Sequence, residues 1–190
     1  MGRGRSTLDR FTRIVLGYHG CDPAFADSLL RGDTPVDGWR PSENEYDWLG
    51  HGIYFWEFAP ERARVWSGKG GVVGAVIQLG SCLDLTEIAF TDLLAGQFDL
   101  VREAHERDGK AMPRNVGGNR QLDCFVVNEL VTKSTAGVGG SLFQTVRGSF
   151  QEGEPAFPGS GILRESHIQV VVRDRRCILG VFRPNYPSQE

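Results

Sequence analysis

The segment DWLGHGIYFWEFAPERARVWS, from Asp47 to Ser67, predicts a loop, a strand, a turn and a helix in that order. In the loop, Gly50 and Gly52 flank His51, and glycine gives these positions backbone conformations that let a chain lie close against a ligand. The next four residues, Ile53-Tyr54-Phe55-Trp56, have the aromatic and β-branched composition of a buried strand. The segment therefore predicts a strand that begins beside a loop suited to contacting a ligand.

The second half of the segment predicts a helix. Pro60 stands where a first helical residue is favoured, Ala63, Val65 and Trp66 supply an apolar side, and Gly68 ends the pattern. A strand between such a loop and such a helix puts Tyr54 at the rim of a cleft. The alternative from composition alone is that Tyr54 is a core aromatic whose hydroxyl is satisfied within the protein.

Length and composition indicate a single globular domain that covers residues 1–190. This length allows a real hydrophobic core, and 40% hydrophobic and 24% charged residues are ordinary proportions. The 25 glycines favour many turns and short strands over a helical bundle. No apolar run approaches the length of a membrane span, and the first residues lack the apolar core of a signal peptide, so we expect no membrane partner.

The cysteines and histidines give no sign of a disulfide framework or of a metal site. The four cysteines lie far apart and form no C-x-x-C pair, which is typical of reduced thiols in a cytoplasmic protein. The four histidines have no spacing with cysteines or carboxylates that suits a metal ion. We therefore expect a cytoplasmic protein without a metal.

Charge is distributed unevenly along the chain, although the net charge is only −3. Residues 1–13 form a basic arm, and residues 164–183 carry five arginines against Glu165 and Asp174, whereas residues 22–62 are rich in acids. The two basic ends could form a face that meets a phosphate backbone. A solvated surface explains the same pattern equally well.

The first strand is predicted over residues 14–20, IVLGYHG, and it ends in His19-Gly20. Asp22 then caps a helix that has Pro23 at its first position and ends at Gly32. A histidine at a strand end, just before a helix, is well placed to reach a ligand. The alternative is a histidine that is bonded to a neighbouring backbone carbonyl.

The rest of the chain predicts mixed elements. We expect a polar loop at 33–52 whose aromatic residues enter the core or line a pocket, a strand at 72–79, a helical region from Asp84 to Gly109, a helix around 122–130, a turn at 137–140 and strands at 143–150, 168–172 and 178–182. Loops rather than helices join the late strands, so the fold class is α+β with antiparallel pairing. Gln169 falls in a buried strand, where its amide must find hydrogen bonds, and a structural amide is the simple explanation.

Three features together resemble the ADP-ribosyltransferase superfamily, and within it the poly(ADP-ribose) polymerase-like, diphtheria-toxin-like branch. Tyr18-His19-Gly20 is similar to the family's first signature segment. The run from Leu49 to Phe55, LGHGIYF, followed by a helix, is similar to the second. The run from Gln169 to Asp174, QVVVRD, resembles the third. The resemblance covers residues 14–183 and implies a split antiparallel β-sheet with peripheral helices.

The resemblance also implies NAD as the substrate and gives roles to individual residues. His19 would donate a hydrogen bond to the adenosine-side ribose, the Gly20 backbone would pair with the nicotinamide amide, and Tyr54 would stack on the nicotinamide ring. Tyr46 or Trp48 would close over that ring, and Gly52 and Arg62 complete the expected NAD-binding set. Gln169 would bond the 2′-hydroxyl of the nicotinamide ribose.

Gln169 departs from the family, which has a glutamate at this position. A neutral amide can bond the ribose but cannot take a proton or stabilise positive charge as well as a carboxylate can. Three explanations stay open: the acceptor needs no base, a nearby carboxylate (Glu152, Glu154 or Glu165) replaces the missing charge, or the site binds NAD poorly or does not react.

The first functional hypothesis is a mono-ADP-ribosyltransferase that modifies a macromolecular acceptor, either protein or nucleic acid. A bacterial toxin that meets its target in the cytosol, with an antitoxin or immunity protein as partner, fits this hypothesis. The second is a non-catalytic module that binds NAD, ADP-ribose or a nucleic-acid end, and the third is an NAD glycohydrolase. RNA 2′-phosphotransferases share the family's fold, but their arginine-rich phosphate site is not evident here. A chance match of motifs in an unrelated α+β protein is the last alternative.

Overall fold

The computed structural model describes residues 13–68, 70–133 and 143–185. The strands are β1 (Ile14–Cys21), β2 (Ile53–Glu57), β3 (Gly71–Gln78), β4 (Cys82–Asp84), β5 (Asn115–Val116), β6 (Asn119–Arg120), β7 (Thr145–Phe150), β8 (His167–Val172) and β9 (Ile178–Phe182). The helices are α1 (Pro23–Arg31), α2 (Pro60–Trp66), α3 (Ile88–Arg107) and α4 (Gln121–Lys133). The predicted turn at 137–140 and most of the basic arm lie outside the described residues.

Seven strands form one sheet in the order β4-β7-β8-β2-β1-β3-β9. All neighbours in this sheet are antiparallel except β4 and β7, which are parallel. Strands β5 and β6 make a separate small hairpin. The predicted α+β class with mostly antiparallel pairing is therefore confirmed.

Local signals in the sequence explain where the first two helices begin and end. In α1, the Asp22 carboxylate accepts hydrogen bonds from the backbone N–H groups of Ala24 and Phe25, and Gly32 closes the helix in a left-handed conformation with a φ of 79°. Helix α2 begins at Pro60, whose missing N–H costs nothing at a first helical position. Both helices match the sequence prediction.

The prediction that a helical region begins at Asp84 is wrong. Asp84 ends strand β4, and α3 begins at Ile88. The Asp84 carboxylate is buried, accepts hydrogen bonds from the backbone and hydroxyl of Thr86, and lies 2.7 Å from a guanidinium nitrogen of Arg13 and 3.2 Å from one of Arg147. It therefore holds the strand end and the turn after it, instead of capping a helix.

Each face of the sheet carries its own core, because successive side chains of a strand point to opposite faces. Phe55, Val170 and Val172 belong to a cluster that also contains Trp39 and Ile77. Their strand neighbours pack in a second cluster under α4, whose described members include Leu49, Leu83, Val127, Val131, Val146 and Val171, with Tyr54 against it. None of the helices in residues 13–68, 70–133 and 143–185 is both long enough and apolar enough to cross a bilayer.

Strands β1 and β2 pair at fewer positions than any other neighbours in the seven-stranded sheet. These strands pair only through Gly17–Glu57 and Tyr18–Trp56, whereas β1 pairs with β3 at eight positions. Past Tyr18, the end of β1 and the start of β2 run without ladder pairing. The two halves of the sheet therefore separate at the residues that the sequence singled out.

Candidate functional site

A cleft of about 300 Å³ opens where β1 and β2 separate. Small-molecule sites typically enclose roughly 300–1,000 Å³, so this cleft is large enough for part of a dinucleotide. Its walls come from four places: the end of β1, strand β2 with the loop before it, helix α2, and the region around β8. Residues far apart in the sequence thus meet in one cavity.

His19 lies in the gap between the two strands. Its Nδ1 is 2.8 Å from the backbone oxygen of Tyr54, and because a carbonyl can only accept, Nδ1 carries the proton and Nε2 of the neutral ring is an acceptor. Burial lowers the pKa of His19, and the hydrogen bond to Tyr54 opposes this only in part. The ring packs edge-on against Trp39 at a centroid distance of 4.9 Å. His19 is therefore both bonded to a neighbouring carbonyl and part of the cleft wall.

Tyr54 lines the cleft, and the loop before β2 holds its hydroxyl. The hydroxyl donates to the Gly50 carbonyl at 2.8 Å and accepts from the Leu49 N–H at 3.0 Å. Burial raises the pKa of Tyr54, so the phenol stays protonated at neutral pH. Gly50 has a φ of 75°, and a side chain there would also strike the Asn128 amide oxygen. The loop, strand and ring therefore form one fixed unit.

Gln169 lies on β8 directly opposite Trp56 on β2, and it is buried, with an exposed fraction of 5%. Its amide oxygen accepts a hydrogen bond from the indole N–H of Trp48 at 2.7 Å. The Trp48 ring in turn stacks on Phe150 with the centroids 3.7 Å apart and the planes at 19°. A side chain of the cleft thus supplies one of the hydrogen bonds that this buried amide needs.

Arg62 on α2 connects the cleft to the long loop before β8. One guanidinium nitrogen donates to Glu152 at 2.7 Å and another donates to Glu165 at 2.8 Å. Glu152 lines the cleft and lies 3.8 Å from Nδ1 of His167, a buried ring that is bonded to the Glu165 backbone. Glu152 is therefore the carboxylate of this loop that borders the cleft, while Glu165 anchors the loop and Glu154 is exposed.

The cleft brings together nearly all of the residues expected at the site. His19, Tyr46, Trp48, Gly52, Tyr54, Arg62, Glu152 and Gln169 all line it. Gly20 does not, and a side chain at Gly20 would overlap the backbone oxygen of Ala63, so this glycine allows α2 to pack against β1. Gly52 has a φ of 155°, and a side chain there would overlap Val171.

Seven further lining residues were not expected at the site from the sequence: Arg40, Ser42, Asn44, Asp47, Ile53, Trp56 and Trp66. Trp56 could have been found from strand alternation, since it shares a face with Tyr54. The polar loop at 33–52 divides its aromatics, with Trp39 in the core at 1% exposure and Tyr46 at the cleft rim at 54%. Sequence composition gave no way to tell these two apart.

Arg40 is exposed at the cleft and makes no hydrogen bond or ion pair within the described ranges. It differs in this from four of the five arginines in the basic segment 164–183. Arg173 and Arg175 donate to the backbone oxygens of His51 and Trp39, and Arg176 and Arg183 pair with carboxylates. These four arginines therefore bind to other parts of the chain, which leaves them less available for a phosphate backbone.

Cysteine side chains and clusters of metal ligands give no second candidate site among the described residues. Burial is the largest cause that raises the pKa of Cys21, Cys82, Cys124 and Cys177 to about 11, so these thiols stay protonated. No group of three or more metal-binding side chains is found among the residues that the structure describes. The polar cleft is thus the strongest candidate site.

Comparison with known proteins gives no independent assignment. No protein-family model, no curated protein and no solved structure matches the chain.

Proposed function

We propose that this protein is an NAD-dependent mono-ADP-ribosyltransferase with the split-sheet fold of that superfamily. One observation carries the proposal: His19, Tyr54 and Gln169, which come from three strands spread over the chain, line a single cleft. The narrow junction between β1 and β2 supports the split sheet. Motifs that matched by chance would have no reason to converge in this way.

The cleft has candidate groups for three parts of NAD, namely a ribose, the nicotinamide ring and the pyrophosphate. Neutral His19 accepts a hydrogen bond from a ribose hydroxyl through Nε2, so the direction of this bond is the reverse of the one expected from the sequence. The Tyr54 ring, held by its hydroxyl, gives the flat surface on which a nicotinamide stacks. Arg40 supplies positive charge for the pyrophosphate, because Arg62 is already bound by two carboxylates.

The reaction breaks the bond between C1′ of the nicotinamide ribose and the ring nitrogen, and the electron pair leaves with nicotinamide. Positive charge develops at the ribose, and the acceptor's lone pair then forms the new bond to C1′ while its proton leaves. Gln169 holds the 2′-hydroxyl of that ribose in position. Glu152, a carboxylate in the cleft wall, can take the acceptor's proton and offset the developing charge.

Gln169 favours transfer of a single ADP-ribose over polymer synthesis, because chain elongation in the family depends on the glutamate that is absent here. The same substitution supports a second candidate, a module that binds NAD or ADP-ribose without reaction. Hydrolysis of NAD, with water as the acceptor, belongs to the same chemistry. A cytosolic setting, with a toxin-like role and a neutralising partner protein, is part of the proposal and follows from the family resemblance.

The test is incubation of the purified protein with radiolabelled NAD and separate pools of protein, DNA and RNA, with Tyr54→Ala as the control. Label in a pool that is lost in the variant supports transfer. Release of nicotinamide without macromolecular label indicates a glycohydrolase. NAD binding by calorimetry, without nicotinamide release over long incubation, indicates the binding module, and no binding at all overturns the proposal.

A further inference from the structure

The rim of the cleft carries an excess of negative charge. The three segments 40–48, 60–66 and 151–166 each supply residues to the cleft wall, and together they contain seven acidic and four basic side chains. Two of the four arginines are neutralised, since Arg62 binds Glu152 and Glu165, and Arg64 binds Glu61. Arg40 and Arg164 are left without a partner among the described residues. A molecule that approaches this rim therefore meets a net negative surface.

Large apolar side chains are exposed at the cleft and in the loop that contributes Glu152 to its wall. Trp66 and Tyr46 line the cleft with exposed fractions of 68% and 54%. Phe157 and Ile162 lie in the loop that Arg62 ties to α2, and they are 61% and 69% exposed. Exposed aromatic side chains grouped at a cleft are typical of surfaces that bind another macromolecule.

The indole N–H of Trp56, a residue of the cleft wall, is a hydrogen-bond donor without an acceptor among the described residues. Trp56 is only 4% exposed, and this N–H is buried. A buried N–H without a partner is costly, so a ligand that supplies an acceptor oxygen would be favoured. Backbone carbonyls, which a peptide offers at every residue, are such acceptors.

We infer that the acceptor recognised at this rim is a protein segment that combines basic and apolar side chains. The inference rests on the proposed function and names the class of its acceptor. Basic side chains are drawn to the exposed carboxylates of Glu43 and Glu154, which have no partner among the described residues. Apolar side chains cover Trp66 and Phe157.

A nucleic acid fits this rim less well, although its bases could also stack on Trp66 and Tyr46. Each nucleotide brings a negative phosphate, and binding depends on lysines or arginines that neutralise the backbone. With Arg40 assigned to the pyrophosphate of NAD, Arg164 is the remaining unpaired rim arginine among the described residues. The charge at the rim therefore distinguishes the two classes of acceptor.

The test compares two double variants of equal charge change. Glu43→Lys with Glu154→Lys reverses the rim charge at residues that do not line the cleft. Asp92→Lys with Glu103→Lys makes the same change on α3, at exposed residues that are also outside the cleft wall. Fluorescence anisotropy then measures binding of a short labelled peptide of lysine, arginine, leucine and phenylalanine, and of a short single-stranded RNA.

We expect wild type and the α3 variant to bind the peptide equally, and the rim variant to bind it about tenfold more weakly, because opposite charges at a surface favour the encounter. We also expect weaker binding of the RNA than of the peptide to wild type. Equal peptide binding by the two double variants, or tighter binding of RNA than of peptide, overturns the inference.

Nicotinamide release from NAD without an acceptor, measured on the same preparations, separates this inference from the proposed function. Both double variants should release nicotinamide at the wild-type rate. Peptide binding without any NAD turnover or NAD binding would support the docking surface and contradict the transferase activity. Turnover of NAD together with preferential labelling of RNA would support the transferase activity and contradict a protein acceptor.

Discussion

Trp48 donates its indole N–H to the side-chain oxygen of Gln169 across 2.7 Å, a bond between residues 121 positions apart in the chain. The bond joins the loop before β2 to strand β8 and fixes the orientation of the Gln169 amide. The amide oxygen of Gln169 thus accepts from Trp48, and its amide N–H groups are available to donate to other partners. The amide of Gln169 therefore has a fixed orientation, and the proposed reaction requires such an orientation to hold the ribose 2′-hydroxyl.

Removing the donor of Trp48 should therefore affect the reaction more than NAD binding. In Trp48→Phe the ring can still stack on Phe150, but the bond to Gln169 is lost. We expect kcat to fall about five- to tenfold, corresponding to one hydrogen bond of about 1 kcal/mol. Steady-state kinetics of nicotinamide release measure this. Trp66→Phe, which changes a cleft tryptophan without that bond, is the control, and equal kcat values in both variants would contradict the role given to Trp48.

Two substitutions of Gln169 should distinguish the effect of its contact with the ribose from the effect of its missing negative charge. Gln169→Ala removes the ribose contact, and we expect at least about a hundredfold loss of kcat/KM, the size of effect seen when an oriented polar group at a reacting centre is deleted. Gln169→Glu keeps an oxygen for Trp48 and adds a charge, so its activity should match or exceed that of wild type. A Gln169→Glu variant as inactive as Gln169→Ala would mean that the amide N–H is the essential group.

Tyr54 has a structural and a binding role that two substitutions can distinguish. Tyr54→Phe keeps the ring but leaves the Leu49 N–H and the Gly50 carbonyl without their partner, so we expect unfolding free energy to drop by about 1–3 kcal/mol with little change in NAD affinity. Tyr54→Ala should lose NAD affinity as well. Thermal denaturation and calorimetric titration provide the two measurements. Weak NAD binding by a folded Tyr54→Phe would show that the hydroxyl, not the ring, matters.

The protonation state of His19 should appear in the pH dependence. Burial holds its pKa below the ordinary value of 6.5, so the ring is neutral at pH 7 and Nε2 is free to accept. NAD affinity should be constant above pH 6.5 and fall as pH drops through the lowered pKa. The free energy of unfolding should show the same trend. The contribution of His19 is fully present above its pKa in the unfolded state and is lost as the pH falls. His19→Gln should show a flatter affinity profile, and an unchanged profile would assign the titration to another group.

Arg40 should contribute to affinity for the phosphates of NAD. We expect Arg40→Gln to raise the Kd for NAD about tenfold, the cost of a lost charge-assisted contact of about 1.5 kcal/mol, and to leave binding of nicotinamide riboside, which has no phosphate, unchanged. Arg164→Gln is the matched control, because Arg164 is also unpaired among the described residues but does not line the cleft. Equal loss of affinity for both ligands would contradict a phosphate contact.

Much of the local structure follows from the sequence itself. The Asp22-Pro23 start and the Gly32 end of α1, the first-turn proline of α2, and the strands around Tyr54 and Gln169 depend on neighbouring residues, and neighbouring residues are what a sequence shows directly. Asp84 is the exception, because its position at the end of β4 depends on Arg13 and Arg147, which are distant in the chain.

The arrangement of the site was decided by tertiary structure. The sequence identified His19, Tyr54 and Gln169 as candidates, but their meeting in one cleft requires β1 and β2 to separate after only two paired positions. The direction of the His19 hydrogen bond, the support that Trp48 gives Gln169, and the burial of Trp39 beside the exposed Tyr46 depend on long-range packing. Local composition determines which elements form, and packing between distant elements determines which polar atoms face the cleft.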